Sequence, residues 1–346
     1  MKEIKKIQKV LVFCLTFTLT LVIMMGMGTC ASSTSEQEMP SYTWTAALNV
    51  APTTINYMIV EKFADLIHER SNGKITVEIY PSGQLGSDSE MNQGVYAGSI
   101  DIASAMTTTI VDFVPEMALF DLPNLFPSVE VMRKVLQSDF SDILNEYIRK
   151  GGFTMLGYSD AGFRQLTSNK EIRTFKDIAG MKIRTMLNEN HIAYWKAIGA
   201  NPLAMDFGEV FMALQQGTID GQENPYMNIV GNNFHEVQKY IIETNHIGHI
   251  ITFYMNNNLY QGLPDNAREL VDECAKEAIA YGNSKSDESL ANYKKTCIDA
   301  GCEIITLSKE DLQSLQDAAS VVYDMVRNRL GDELVDTLLA AVEAAK

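Results

Sequence analysis

From residue 42 onward, apolar positions alternate between two periods. Residues 43–48 read as a strand, closed by Asn49-Val50-Ala51-Pro52. Ile59, Phe63, Leu66 and Ile67 then recur at helical spacing as far as Asn72-Gly73. Ile75, Val77 and Ile79 alternate within residues 74–80, the pattern of a half-buried strand. Ser87 and Glu90 form a capping box for a helix that stops at Gly98, and residues 100–103 make a short strand. Strand and helix in regular alternation predict α/β layers.

The same grammar continues downstream. Thr174 and Asp177 predict a second capping box, for one helical turn ending at Gly180. Residues 181–185 read as a strand with Arg184 near its C-terminal end, residues 230–240 as a helix, and residues 247–255 as a buried strand. Pro264 opens a helical stretch that includes Leu270, Cys274, Ala278 and Tyr281 and runs to about Ala300. A helix of about 35 residues would span roughly 50 Å, longer than one lobe, so it should tie two lobes together. Residues 308–346 read as one or two helices. One internal echo supports two similar lobes. Glu90 to Asp101 spans 11 residues, and Glu209 to Asp220 spans 11 again, 119 positions later, each as a cap, helix, glycine and strand start.

Composition bounds the partners. The chain has 346 residues, 46% of them hydrophobic, with 28 Lys and Arg against 44 Asp and Glu. A formal charge of −16 and the absence of a basic stripe exclude nucleic acid, which requires clustered Lys and Arg. Lys2, Lys5, Lys6 and Lys9 precede an apolar run over residues 10–25, too short at 16 residues for a membrane span of about 20. Residues 1–30 are therefore an export signal, and residues 31–41 a polar tether. Met27-Gly28-Thr29-Cys30 resembles a lipobox, making Cys30 the expected lipidation site; ordinary cleavage nearby is the alternative, since Thr29 departs from the usual small residue. Cys297 and Cys302 bracket Ala300-Gly301. With Gly301 as the left-handed stop they become the touching pair of a Schellman motif, and a disulfide is the alternative.

The motifs of enzymes are missing: the chain after the export signal has no nucleophile elbow, phosphate loop or dinucleotide fingerprint. Glu243, His246 and His249 have metal-ligand spacing but fall where a loop enters a strand, so neither a metal nor any other cofactor is expected. Gly162-Phe163-Arg164-Gln165-Leu166-Thr167, Gly180-Met181-Lys182-Ile183-Arg184, Phe207-Gly208-Glu209-Val210-Phe211 and Asp220-Gly221-Gln222-Glu223-Asn224-Pro225 occur in that order. Together they resemble the solute-binding receptors of tripartite ATP-independent periplasmic (TRAP) transporters, the DctP-like family, over residues 42–325.

The resemblance implies a two-lobed periplasmic-binding-protein-like α/β fold with a hinge and a long helix shared by both lobes. The expected organisation is lobe I at residues 42–160 and 251–288, lobe II at 161–250 and 289–325, and a C-terminal helix at 326–346. The implied function is that of an extracytoplasmic, monomeric receptor, not an enzyme, closing over an organic acid for the transporter's membrane subunits. A sugar acid or other hydroxylated monocarboxylate is favoured, with a C4-dicarboxylate, or a signalling partner in place of the transporter, as alternatives. Arg184 is the implied carboxylate anchor, because guanidinium offers two parallel donors. Arg164 is expected as a second contact or a tie between lobes, Asn224 as a donor and acceptor, and Phe207 as a ring against the ligand. Glu90 is expected at the hydroxyl end or as a cap only. His246 matches a family histidine near the cleft, Asn49 stands where many relatives have histidine, and Asp206 is explained by N-cap duty.

Overall fold

The structure, a computed structural model, describes residues 38–346. The expected export signal, Cys30 and most of the expected tether lie outside the described residues. Two sheets carry the architecture. The first half of the chain supplies β1 (Tyr42–Ala47), β2 (Ile75–Tyr80), β3 (Ile102–Met106) and β4 (Phe153–Phe163). There follow β5 (Gln165–Ser168), β6 (Lys182–Thr185), β7 (Asn201–Ala204), β8 (Gly221–Asn224), β9 (Tyr240–Ile242), β10 (Gly248–Asn256) and β11 (Glu303–Ile305). The first sheet runs β2-β1-β3-β10-β4 and the second β11-β9-β5-β8-β6-β7. β3 and β10 are buried along their whole length, which is why they lack a polar face.

The echo noted in the sequence is a structural repeat. β2-β1-β3 and β7-β6-β8 are both parallel, with an antiparallel fourth strand (β10 or β5) beyond β3 or β8. Asp101 closes the first unit: its N–H donates to the Thr45 carbonyl (3.1 Å) and its carboxylate accepts from the Thr45 N–H (2.8 Å). Asp220 closes the second in the same way on Lys182, at 2.8 and 2.7 Å. Gly98 and Gly217 stand before them with φ of 78° and 68°, a conformation that costs glycine nothing. Each lobe thus starts its third parallel strand from the same lock.

The chain passes between sheets at Arg164 and again over residues 243–247, and the Arg164 N–H donates to the Ile247 carbonyl (2.9 Å), zipping the two crossings together. β4 reaches Phe163 and β10 begins at Gly248, so the sheets change at these points rather than after residues 160 and 250. The third link is the 35-residue helix Asp265–Asp299. Its first half buries Ala267, Val271, Cys274 and Ala278 with Phe63 and Phe253 of the first lobe, and Cys297 at its far end packs with Val210 and Leu214 of the second. It ends as the glycine stop predicts. The Cys302 N–H donates to the Cys297 carbonyl (2.9 Å) and the Gly301 N–H to the Ile298 carbonyl (2.9 Å), with Gly301 at φ 95°. Cys297 and Cys302 are free, buried thiols.

Two expected helices divide. The stretch 230–240 becomes Tyr226–Gly231 and Phe234–Val237, because Asn233 between them is left-handed (φ 58°). The C-terminal stretch from residue 308 is three helices, Lys309–Ala318, Ser320–Leu330 and Asp332–Ala345, the last two separated by Gly331 at φ 87°. These helices return from the second lobe to the first: Asp311 caps the Phe175 N–H (2.8 Å), Tyr323 reaches the Pro123 carbonyl (3.3 Å), and Lys134 bonds the Ala345 carbonyl (2.9 Å). Gly221 shows how tightly β5 and β8 approach, since a Cβ there would lie 2.2 Å from the Thr167 carbonyl oxygen. Backbone cannot yield as a side chain can, so Gly221→Ala should destabilise the protein by about 1–3 kcal/mol in a denaturant titration.

Candidate functional site

Two hollows that share Asp88, Thr109, Arg184, Met186 and Phe207 form one cleft lined by both lobes. Arg184 lies at the C-terminal end of β6, where open α/β sheets place ligands. It is 2% exposed. Its Nε and Nη2 both donate to the Met205 carbonyl (3.0 and 2.7 Å), while Nη1 is buried with no partner. Burial lowers its pKa to about 10, against the opposing pull of Glu223. Phe207 lies 5.7 Å from the guanidinium carbon, so the ring steadies one face of the cation. Met205 and Phe207 flank one turn, which therefore orients the end of the guanidinium fork that remains free.

Beneath this floor lies a buried charge network. Arg164 is fully buried and bonds Glu223 through Nε and through Nη2 (to Oε1, 2.9 Å), with a further bond to the Glu223 carbonyl. Its Nη1 lies 2.9 Å from His249 Nδ1. Arginine only donates, so His249 must present a bare Nδ1 and be neutral. Burial and the Arg164 charge hold the His249 pKa well below its ordinary value, as that tautomer requires. His246 Nε2 donates to Glu223 Oε2 (3.0 Å), with Thr244 Oγ1 2.8 Å from its Nδ1. Burial alone would raise the Glu223 carboxyl, but Arg164, His191 and His246 together hold it well below the usual range. His191 sits between Glu223 (3.7 Å) and Asp121 of the first lobe (3.5 Å), and these two acids raise its pKa against the effect of burial.

The residues expected from sequence separate into three layers. Arg184, Phe207, Arg164 and Asn224 line the cleft. Arg164 does so with its donors already engaged, which makes it a tie between strands rather than a free second cation. Asn224 donates to Gln222 Oε1 (2.6 Å) and accepts from Asn228 (3.0 Å). Asn49 and His246 stand one layer behind: Asn49 donates to Asp88 (3.3 Å), and His246 supports Glu223 between the rings of Tyr194 and Trp195. Glu90 is exposed and closes the capping box on the Ser87 N–H (2.8 Å) and hydroxyl (2.9 Å), outside the cleft lining. Trp195 is core and Met186 is cleft wall.

Asp88 and Glu223 were not singled out by sequence reasoning, and Asp206 was set aside as an N-cap. The repeat contained the signal for Asp88, since 119 positions separate it from Phe207 and both open the helix of their unit. Asp206 does not cap its helix; its side chain makes no capping bond and lines the cleft. Glu243 is engaged by Lys294 (2.6 Å) and Tyr226 (3.2 Å), away from the two histidines with which it had metal-like spacing.

Residues 46–329 match the family described as bacterial extracellular solute-binding protein, family 7. The C4-dicarboxylate-binding periplasmic protein DctP of Shewanella loihica is 29% identical over 85% of this chain and 88% of its own. The 2,3-diketo-L-gulonate-binding periplasmic protein YiaO of Escherichia coli is 31% identical over 73% of this chain and 78% of its own. The sugar acid binding protein of Advenella mimigardefordensis, solved with galactonate, superposes with a TM-score of 0.86 at 26% identity, covering 89% of this chain and all of that one. A TRAP periplasmic solute binding protein of Sulfurospirillum deleyianum, solved with succinate, gives 0.81 at 33% identity over 88% of this chain and all of its own. The chain therefore belongs to the family 7 bacterial extracellular solute-binding proteins, the DctP-like receptors of TRAP transporters.

Proposed function

We propose that this chain is a monomeric receptor that captures a small organic acid anion and hands it to TRAP membrane subunits, held near the membrane by a lipid on Cys30. The observation that carries the ligand class is Arg184 Nη1, a charged donor buried in the cleft wall without an acceptor. Leaving such a donor unpaired costs several kcal/mol, and a carboxylate on the free end of the fork would remove that cost. The mechanism is lobe closure: the solute binds the closed form better and shifts the population toward it. Asn224 and the residues around it supply both donors and acceptors, which suits a hydroxylated acid such as a sugar acid. The galactonate complex of one relative supports that reading, and the dicarboxylate names of others support a C4-dicarboxylate as the second.

A thermal-shift screen of the protein, freed of bound solute by unfolding and refolding, tests the ligand class. A ligand at a hundred times its Kd adds about 2.7 kcal/mol, which raises the midpoint by about 5–10 °C in domains somewhat smaller than this one. A shift of that size with an organic acid is the expected result. Shifts with neutral sugars alone would overturn the carboxylate reading.

A further inference from the structure

The cleft carries more negative charge than an anion receptor needs. Asp88 enters it from the first lobe, at the first position of the Asp88–Ala97 helix. Asp206 enters from the second lobe, immediately before Phe207, and Asp112 stands at the rim. Arg164 is already paired with Glu223 inside the wall. Arg184 is thus the lining cation with a free donor, its guanidinium held on the Met205 carbonyl, against the Phe207 ring and within electrostatic reach of Asp88 and Asp206. A ligand carboxylate that takes Arg184 then shares that cation with Asp88 and Asp206, which face the remainder of the ligand.

An ionised carboxylate only accepts hydrogen bonds. Asp88 has one long bond, from Asn49 at 3.3 Å, and Asp206 has no capping bond. Burial pushes the Asp88 pKa upward and Asp206 adds to it, while the Asn49 bond, the Arg184 charge and the helix N-terminus favour the ionised form. Those opposing influences describe an acid that wants donors from whatever fills the cleft. A second ligand carboxylate placed there would be a third anion beside two half-buried acids, and like charges at such range are unfavourable.

We infer that Asp88 and Asp206 make this receptor selective for monocarboxylates whose other end donates hydrogen bonds, and that they exclude dicarboxylates. The inference rests on the reading of Arg184 as the carboxylate anchor and narrows the ligand class within it. Two sources of donors share this chemistry, hydroxyl groups and an ammonium group. It sets the chain apart from those relatives named for C4-dicarboxylates, although the family is shared with them.

Matched pairs of acids test it by calorimetry on the solute-free protein. Galactonate against galactarate exchanges a terminal hydroxymethyl for a carboxylate, and 4-aminobutanoate against glutarate exchanges an ammonium for a carboxylate. Aldonates, uronates and amino acids of other lengths extend each arm, each with its diacid. At least a tenfold preference for the monocarboxylate is expected in one arm, and the arm identifies the donor. Asp88→Asn with Asp206→Asn should reduce that preference at least tenfold, chiefly by admitting the diacid. Asp206→Asn alone, at a side chain with no capping bond to lose, should reduce it in part and serves if the double variant folds poorly. Equal affinity for both members of a pair in the wild type, or a preference unchanged in the variants, would overturn the inference while leaving an Arg184-dependent acid receptor intact. Binding that survives Arg184→Ala, or no binding by any acid, would overturn the anchor reading and this inference with it.

Discussion

Arg184→Ala is expected to abolish capture of the organic anion, and Arg184→Lys to weaken it by a hundredfold or more. The geometry dictates both. Nε and Nη2 are held on the Met205 carbonyl, while Nη1 is left buried without a partner. Truncating one partner of a buried, hydrogen-bonded charge pair costs about 2–5 kcal/mol, which is roughly 30-fold to several thousandfold in affinity. Lysine keeps the charge but loses the fork and the clamp on Met205 together. The solute-free protein should meanwhile be no less stable in Arg184→Ala, because burial already disfavours this cation, as its lowered pKa of about 10 records. Titration calorimetry alongside thermal melts separates the two effects. Near-normal affinity in Arg184→Lys would refute the two-pronged contact.

Glu223→Gln should act in the opposite way, striking the fold before the ligand. Glu223 is fully buried and receives Arg164 and His246, so glutamine would leave the Arg164 guanidinium buried without its counter-charge. Breaking one side of a buried pair costs about 3–5 kcal/mol, enough to lower the melting midpoint by about 10 °C. The pH dependence carries the signature. The folded carboxyl is held well below its ordinary range, so the unfolded chain takes up the proton first as pH falls. The stabilisation is therefore complete above the unfolded pKa of about 4.3, and is lost as pH drops from there through the depressed folded value. The gap between wild type and Glu223→Gln should accordingly be largest near neutrality and narrow below about pH 4.3. A gap that stays constant from pH 7 to pH 3 would show that Glu223 stabilises by shape rather than by charge.

The two variants differ because the two arginines do. Arg164 and Arg184 stand 20 positions apart in motifs of similar appearance, and both touch the cleft wall. Sequence spacing could not say which one is occupied. Glu223 decides it: 59 positions from Arg164, it is brought opposite by the antiparallel pairing of β5 with β8, in which Gln165 faces Asn224 and Leu166 faces Glu223. The crossing at residues 243–247, which leads from β9 into β10, delivers His246 and His249 to the pair.

Features written within a few residues of one another were legible before any coordinates. The Ser87–Glu90 capping box, the glycine stops at Gly98 and Gly301, the 35-residue helix from Pro264, and the repeat closed by Asp101 and Asp220 all depend on short spacings and local dihedral preferences. Arg184 and Phe207 belong with them, because strand ends and helix starts face the cleft wherever the sheet directs them. Tertiary structure alone decided that Glu90 caps outside the cleft, that Asp206 lines it instead of capping, and that Asp88 looks across at it from the other lobe. Those outcomes turn on which distant side chains come into reach once the two crossings and the long helix bring the lobes together. Charge and hydrogen bonding act through space, and local sequence patterns report only the distances along the chain.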